Sequence, residues 1–334
     1  GSVVVLSPST PLARQSHQVF CQFFPDLAEQ AGVVADNRDE RDRPIVFATT
    51  KILYGSAPPR SLVIVDEQQR FSREHREALV GKHSHLLECT ATPIPRSECL
   101  IRFGIVSVSY LRSSHVDKTI KTVIREREDR IDLFDDVKAT LAAGGQVAVV
   151  YPAKSKTDDD RGLPSVEEAL RTWRRIFPDQ CVMAHGGQST AENEDALSAM
   201  RQGRAHILIA TTVIETGIDL PNLKRIVIVH PERFGLTTLH QLRGRVARTG
   251  GEGWCDLYLP QQVSPKTFQR LQTLVEVRDG FDLAYRDMQL RGFGDLRRSS
   301  DKQHGNDGMS LFGRPLHPAL LEDVARAAAT IPYG

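Results

Sequence analysis

The sequence predicts an α/β protein of two parallel-sheet domains followed by a C-terminal helical clasp. Three observations carry this. Short apolar runs alternate with helical stretches along residues 3–111 and again along 147–259, the pattern of parallel strands joined by crossover helices. A polar, highly charged stretch from Arg112 to Arg130 separates the two sets. The chain has 334 residues, 40% hydrophobic and 25% charged, enough for two ordinary domains with real cores.

The first set of strands reads Val3–Leu6, Ile45–Ala48, Leu62–Val65, Leu86–Cys89 and Ile105–Leu111. The second reads Val147–Tyr151, Cys181–Ala184, Ile207–Ala210, Ile226–Val229 and Cys255–Leu259, with helices such as Val166–Ile176 and Glu192–Met200 between them. After Pro260 the pattern changes. Ser264–Arg278 reads as a helix, with Ser264 as N-cap and Pro265 at the first helical position. Residues 291–314, rich in Gly, Arg and Ser, read as an ordered loop or clasp, and Pro318–Ala329 as a closing helix. The expected boundaries are 1–111 for the first domain, 112–135 for a linker, 136–262 for the second domain and 263–334 for the C-terminal element.

Composition excludes several classes. A net charge of +1 gives no global field for nucleic acid, so any such contact must come from local patches. Five scattered cysteines without a CxxC read as reduced thiols of a cytosolic protein, not a disulfide or zinc framework. No run is long and apolar enough for a membrane span, and no signal peptide is present. Gly1-Ser2 leads straight into a strand without an initiator methionine, as a chain without its leader or a piece of a longer one would.

Residues 211–251 carry the densest chemistry. Gln241, Gly244, Arg245 and Arg248 are spaced three, one and three apart, which on a helix places them on one face and leaves Leu239, Leu242 and Val246 for packing. Guanidinium groups fork onto phosphate oxygens and stay charged at any working pH, so that face suits a polyphosphate. Upstream, Thr211 and Thr212 can donate to a nucleic-acid phosphate. Gly217 permits close backbone approach, and Asp219 can touch a ribose or an arginine. A strand, a turn and a proline stop at Pro221 account for the same residues structurally.

Leu62–Val65 ends in Asp66-Glu67, and ligands of open α/β sheets gather at the carboxyl ends of strands. Asp66 there can hold Mg²⁺, and Glu67 can orient or deprotonate a water. Taken alone, a strand ending in polar residues explains the pair as well. Thr90-Ala91-Thr92-Pro93-Ile94-Pro95-Arg96 offers hydroxyls and a cation after the next strand, or merely a Pro-stiffened turn. Ser9 and Thr10, after Val3–Leu6, stand where a helix N-terminus can meet a phosphate. His185-Gly186-Gly187 shows no partner spacing for a metal, and Asp158–Asp160 reads as a solvated acidic loop.

Taken together these segments resemble the superfamily-two helicases, and among them the RecG branch, with the Mfd translocases as near relatives. Asp66-Glu67-Gln68-Gln69-Arg70-Phe71 resembles the RecG Walker B pattern DEQHRF, with Gln69 where His is usual. TATPIPR at 90–96, ATTVIETGIDLP at 210–221, HPERFGL at 230–236 and HQLRGRVAR at 240–248 match in order and spacing. Asp279-Gly280-Phe281, Leu290–Leu296 and Gln303-His304-Gly305 resemble the translocation motif that RecG and Mfd share.

The resemblance implies two RecA-like domains plus that translocation element, with ATP and Mg²⁺ as cofactors. DNA, duplex or branched, would be held through its backbone by a monomer in the bacterial cytoplasm. It implies that Asp66 and Glu67 serve Mg²⁺ and the attacking water. Gln241 and Arg245 would sense the γ-phosphate across an interdomain cleft, with Arg248 as arginine finger. Ser9, Thr10, Thr49, Thr50, Arg96, Thr211 and Thr212 would line a DNA track. Thr90, Thr92, Arg291 and Gln303 would couple cleft closure to DNA movement.

The sequence also departs from the pattern. It contains no GxxxxGK[ST], and Gly81-Lys82 lacks the upstream glycine. By family order that loop, with its strand and helix, would precede Val3, so the first domain is expected to be incomplete, without a central strand. The stretch from Ala28 to Pro44 is short for the family, Phe293 replaces a usual proline, two residues are added before Gln303, and the wedge domain is missing. The leading expectation is therefore the motor portion of a DNA translocase, poorly active in ATP hydrolysis as given. The alternatives are an ATPase-inactive helicase-like module that binds nucleic acid or protein, and an RNA helicase of related architecture. Retention of Asp66, Glu67, Arg245 and Arg248 speaks against the first alternative, and the segment 279–305 against the second.

Overall fold

The computed structural model describes residues 1–55, 57–90, 107, 109, 111, 116–152, 165–212, 220–280, 282, 283, 286, 310, 311, 314 and 315. The chain divides into two compact units. The expected strand at Ile105–Leu111 falls largely outside the described residues, and the closing helix at Pro318–Ala329 entirely so.

In the first unit, β1 (Val3–Leu6) runs into α1 (Thr10–Phe23), which Ser9 precedes as N-cap. β2 (Ala31–Ala35) and β3 (Arg38–Asp39) form a hairpin whose two-residue turn, Asp36-Asn37, puts Asp36 at φ 45°. Asp and Asn tolerate that left-handed geometry better than other side chains do. β4 (Ile45–Ala48), β5 (Arg60–Val65), α2 (Arg73–Glu77) and β6 (Val80–Glu88) complete it. The strands pair as one six-stranded sheet in the order β3-β2-β4-β1-β5-β6. All pairs are parallel except β2–β3. Val4, Leu6, Val46, Val63 and Val65 are fully buried, as strands covered on both faces require.

The sheet is continuous, with β1 between β4 and β5. Its open place is the outer side of β6, which among the described residues pairs with β5 alone. There Leu86 is 39% and Leu87 51% exposed. β6 begins six residues before its apolar part, because an edge strand with an open side tolerates polar residues such as Lys82 and His83.

The second unit contains β7 (Lys118–Arg125), α3 (Arg130–Ala142), β8 (Gln146–Val150), α4 (Val166–Ile176), β9 (Cys181–Ala184) and α5 (Thr190–Arg201). It continues with β10 (Ile207–Ala210), β11 (Leu223–Val229), α6 (Leu236–Gly244), β12 (Gly251–Tyr258) and α7 (Pro265–Glu276). Six strands pair in the order β7-β12-β11-β8-β10-β9, all parallel. Two short strands, β13 (Ser310–Leu311) and β14 (Arg314–Pro315), pair antiparallel.

The expected linker at 112–135 therefore contains β7 and the start of α3. In KTIKTVIR only Ile120, Val123 and Ile124 are apolar, so its strand is hidden inside a charged stretch. Ser264 caps α7 as expected, accepting from the Thr267 N–H, with Pro265 in the first turn. No helix among the described residues is long and apolar enough to cross a membrane.

An exposed apolar edge strand is a template for pairing with another chain. Leu87→Lys is expected to lower concentration-dependent light scattering of the chain while changing stability by about 0.5 kcal/mol or less. Unchanged scattering would remove β6 as the adhesive edge.

Candidate nucleotide and nucleic-acid site

Because β1, β4, β5 and β6 are parallel, the residues after them share one edge of the first sheet. That edge collects Ser9 and Thr10, Thr49 and Thr50, Asp66 and Glu67, and Thr90. Thr10 Oγ1 donates to Asp36 Oδ1 at 3.0 Å. Thr49 caps the turn that holds Thr50, its Oγ1 accepting from the Lys51 N–H at 3.4 Å.

Asp66 still belongs to the sheet, its N–H donating to Leu6 O at 3.0 Å. The chain then breaks sharply, with Glu67 at φ 54°, a left-handed conformation that costs a non-glycine residue energy and gathers at functional sites. A 3₁₀ turn over Gln68–Arg70 follows, pinned by Phe71 at 2% exposure. Gln69 Nε2 donates to Glu67 Oε2 at 2.5 Å, and Gln69 Oε1 accepts from Thr90 Oγ1 at 2.9 Å. An amide that donates with one end and accepts with the other thus fixes the Glu67 carboxylate against the hydroxyl after the next strand. The charge of Asp66 adds to the desolvation that raises the Cys89 thiol pKa, which places the two close together. Two adjacent half-buried carboxylates are hard oxygen donors and fit a Mg²⁺ that keeps most of its waters. Among the described residues no larger cluster of metal-ligating side chains exists.

The second unit repeats this turn. His230 has φ 55°, a 3₁₀ turn covers Pro231–Arg233, and Phe234 is buried behind it. His230 Nδ1 and Glu232 Oε1 lie 2.8 Å apart, two residues from one another as Glu67 and Gln69 are.

α6 departs from the expected single helical face. It ends at Gly244, Arg245 is its C-cap, and Ala247 takes φ 51°. The Ala247 N–H donates to Leu223 O at 2.9 Å instead of continuing the helix. Gln241 and Arg245 thus belong to the helix and its cap, while Arg248 follows on a separate turn. Leu239, Leu242 and Val246 are fully buried, as the spacing implied. The turn sits against β12 at Gly253, where a Cβ would come within 2.3 Å of Val246 Cγ1 and 3.2 Å of Ala247 Cβ. Only glycine allows that approach.

Sequence reasoning missed Arg243, which lies off the presumed face. It is 5% exposed and donates from Nη1 to Leu274 O at 2.6 Å and Val277 O at 2.9 Å, and from Nη2 to Arg278 O at 3.1 Å. It thereby closes the C-terminal end of α7, whose carbonyls otherwise lack partners. In return Arg270 of α7 donates to Phe234 O at 2.8 Å and Glu232 O at 2.9 Å, just before α6. His240 Nδ1 lies 2.7 Å from Arg243 Nη2, and desolvation, then the Arg243 charge, lower its pKa to about 4.

Thr211 is buried and Thr212 half-buried after β10, at the carboxyl ends of the strands. Arg245 and Arg248 precede β12, at the amino ends. The two expected contact sets of this unit therefore occupy opposite edges of its sheet. His185 is structural: Nδ1 accepts from the Gly187 N–H at 3.2 Å, and Nε2 lies 3.4 Å from Glu167 Oε1. Thr92, Arg96, Gly217, Asp219, Arg291 and Gln303 lie outside the described residues.

Comparison with known proteins fits these features. The helicase conserved C-terminal domain family matches residues 129–250. The ATP-dependent DNA helicase RecG of Helicobacter pylori (strain J99) is 32% identical over 91% of this chain and 49% of its own length. The RecG of Synechocystis is 37% identical over 80% of this chain and 32% of its own. That of Escherichia coli K12 is 31% identical over 98% and 50%. The chain belongs to the RecG-like superfamily-two helicases. A structure of RecG bound to a three-way DNA junction superposes with TM-score 0.66 at 25% identity, covering 98% of this chain and 43% of that one. S. cerevisiae Dbp5 bound to RNA and ADP BeF3 gives 0.58 at 15%, covering 98% and 81%, a likeness of fold alone. Both units of this RecG-like chain are RecA-like, and it spans about half the length of the H. pylori relative.

Gly253→Ala is expected to cost about 1–3 kcal/mol in urea unfolding by forcing the arginine turn off β12. Gly244→Ala, with nothing within 4 Å of the new carbon, should cost far less. Equal costs would refute the close-approach account. The depressed His240 pKa makes stability complete above the unfolded value near 6.5 and lost as pH falls toward 4. The chain is expected to lose about 2 kcal/mol more than His240→Gln between pH 7 and pH 5. Parallel stability curves for the two would contradict this.

Proposed function

We propose that this chain is the motor portion of an ATP-dependent translocase-helicase that acts on duplex or branched DNA in recombination and fork repair. The observation that carries it is the Thr90–Gln69–Glu67 chain, which positions a carboxylate beside Asp66 at a strand end through the hydroxyl of the neighbouring strand. The RecG relatives, and the neighbour bound to a DNA junction, support DNA as the partner.

In this reading Asp66 and Glu67 hold Mg²⁺ and orient the attacking water, and Thr90 and Thr92 sense their state. Bound ATP supplies the γ-phosphate whose hydrolysis drives the cycle, with Mg²⁺ neutralising its oxygens. Gln241, Arg245 and Arg248 bear on that phosphate, Arg248 as the finger, with Gly217 and Asp219 beside the nucleotide. Ser9, Thr10, Thr49, Thr50, Arg96, Thr211 and Thr212 grip DNA phosphates, so motion is largely independent of sequence. Arg291 and Gln303 belong to the coupling element within 263–334, after domains at 1–111 and 136–262 joined through 112–135. The protein works as a monomer in the cytoplasm.

The 334 residues contain no GxxxxGK[ST] loop, and hydrolysis by them alone is expected to be slight. In a longer version carrying that loop, Arg248→Ala is expected to lower DNA-stimulated ATP turnover about a thousandfold or more, with duplex binding retained. Unchanged turnover would exclude Arg248 as the finger.

A further inference from the structure

The strand that opens the second unit brings a cation to the arginine turn. β7 and β12 pair in register with Lys118 opposite Gly251, three residues after Arg248. Adjacent strands lie about 4.8 Å apart, so the Lys118 backbone runs directly beside the end of the turn. The approach is built in. The Gly251 N–H donates to Asp117 O at 2.9 Å, and Gly250, at φ 97°, has that same oxygen 3.1 Å from where a Cβ would stand. The Lys118 ammonium reaches Gly244 O at 3.5 Å, one residue before Arg245. Lys118 as a whole remains exposed.

We infer that Lys118 completes, with Arg245 and Arg248, an anion receptacle within the second unit that takes the triphosphate of a nucleotide. This rests on the reading of the two arginines as phosphate-facing groups and adds a residue to it. The electrostatics support it: the Lys118 pKa is lowered, first by desolvation and then by the charges of Arg248, Arg243 and Arg245. Arg243 is turned inward onto the α7 carbonyls and is not part of the receptacle. Positive groups gathered on one edge repel one another, and a polyanion relieves the repulsion. An ammonium contributes a point charge that follows a moving phosphate, where guanidinium groups impose a fixed fork.

The test is binding of inorganic tripolyphosphate to the 334-residue chain by calorimetry at fixed ionic strength. Lys118→Gln is expected to weaken it about tenfold. Lys118→Arg should retain it, and Lys121→Gln, on the same strand but paired with Glu252, should leave it unchanged. Absence of tripolyphosphate binding, or equal binding by Lys118→Gln, would overturn the inference. If Arg245→Gln and Arg248→Gln weaken binding and Lys118→Gln does not, Lys118 falls while the nucleotide reading stands. If only Lys118→Gln weakens it, the phosphate role of the arginines falls and the shared receptacle with it. A Lys118→Gln variant that loses affinity for a duplex oligonucleotide but not for tripolyphosphate would also overturn it, with DNA as the ligand.

Discussion

The second unit depends on one buried ion cluster. Asp256 of β12 is 1% exposed and is met from one side by Arg225 of β11 at 2.5 Å and from the other by Arg125 of β7 at 3.1 Å. Both arginines reach on to Asp136 of α3, and Arg225 also donates to Thr140 Oγ1 at 3.0 Å. The face of Trp254 covers Arg225 at 5.3 Å. A buried carboxylate with two guanidinium partners is satisfied only when all three strands are in register, so the cluster selects one alignment more than it adds stability. That alignment sets Gly251 against Lys118 and Gly253 beneath Val246, and so seats the arginine turn.

A second device holds α6 and α7 together without acidic residues. Arg243 and Arg270 each donate to backbone carbonyls of the other helix region. Carbonyls carry no proton to lose, so these clamps do not vary with pH across the working range. His240, packed against Arg243, is kept neutral by burial and by the Arg243 charge. Gln69 plays a similar part in the first unit: an amide, which does not titrate, makes the bridge from Thr90 to Glu67.

Much of the architecture was legible because burial on both faces demands unbroken Val and Ile runs. β1, β4 and β10 have the bounds read from sequence for that reason. Strands free of that demand were hidden. β7 lies in a charged stretch and β6 starts in polar residues, both being edge strands, whereas β2, buried throughout, was hidden by its shortness as the run AGVVA ended by a two-residue turn. The acidic strand end and the arginine block were visible as residue types, but not their geometry. Nothing in the chemistry of an alanine announces that Ala247 will adopt φ 51°, and nothing in that of an arginine that Arg243 will face inward. Both are decided by packing against β12 and α7, which is tertiary information.

The placement of threonines and arginines at opposite edges of the second sheet has a mechanical meaning. β11, seven residues long, spans about 20 Å between its two ends. Its neighbours are parallel, hydrogen-bonded and buried, which makes the sheet a stiff strut. A tilt imposed at the arginine end is carried to Thr211 and Thr212 by the strut as a whole, and no chain of side-chain rearrangements is needed in between. The length of the strands then sets the lever arm, so the travel at one edge is fixed by the angle turned at the other.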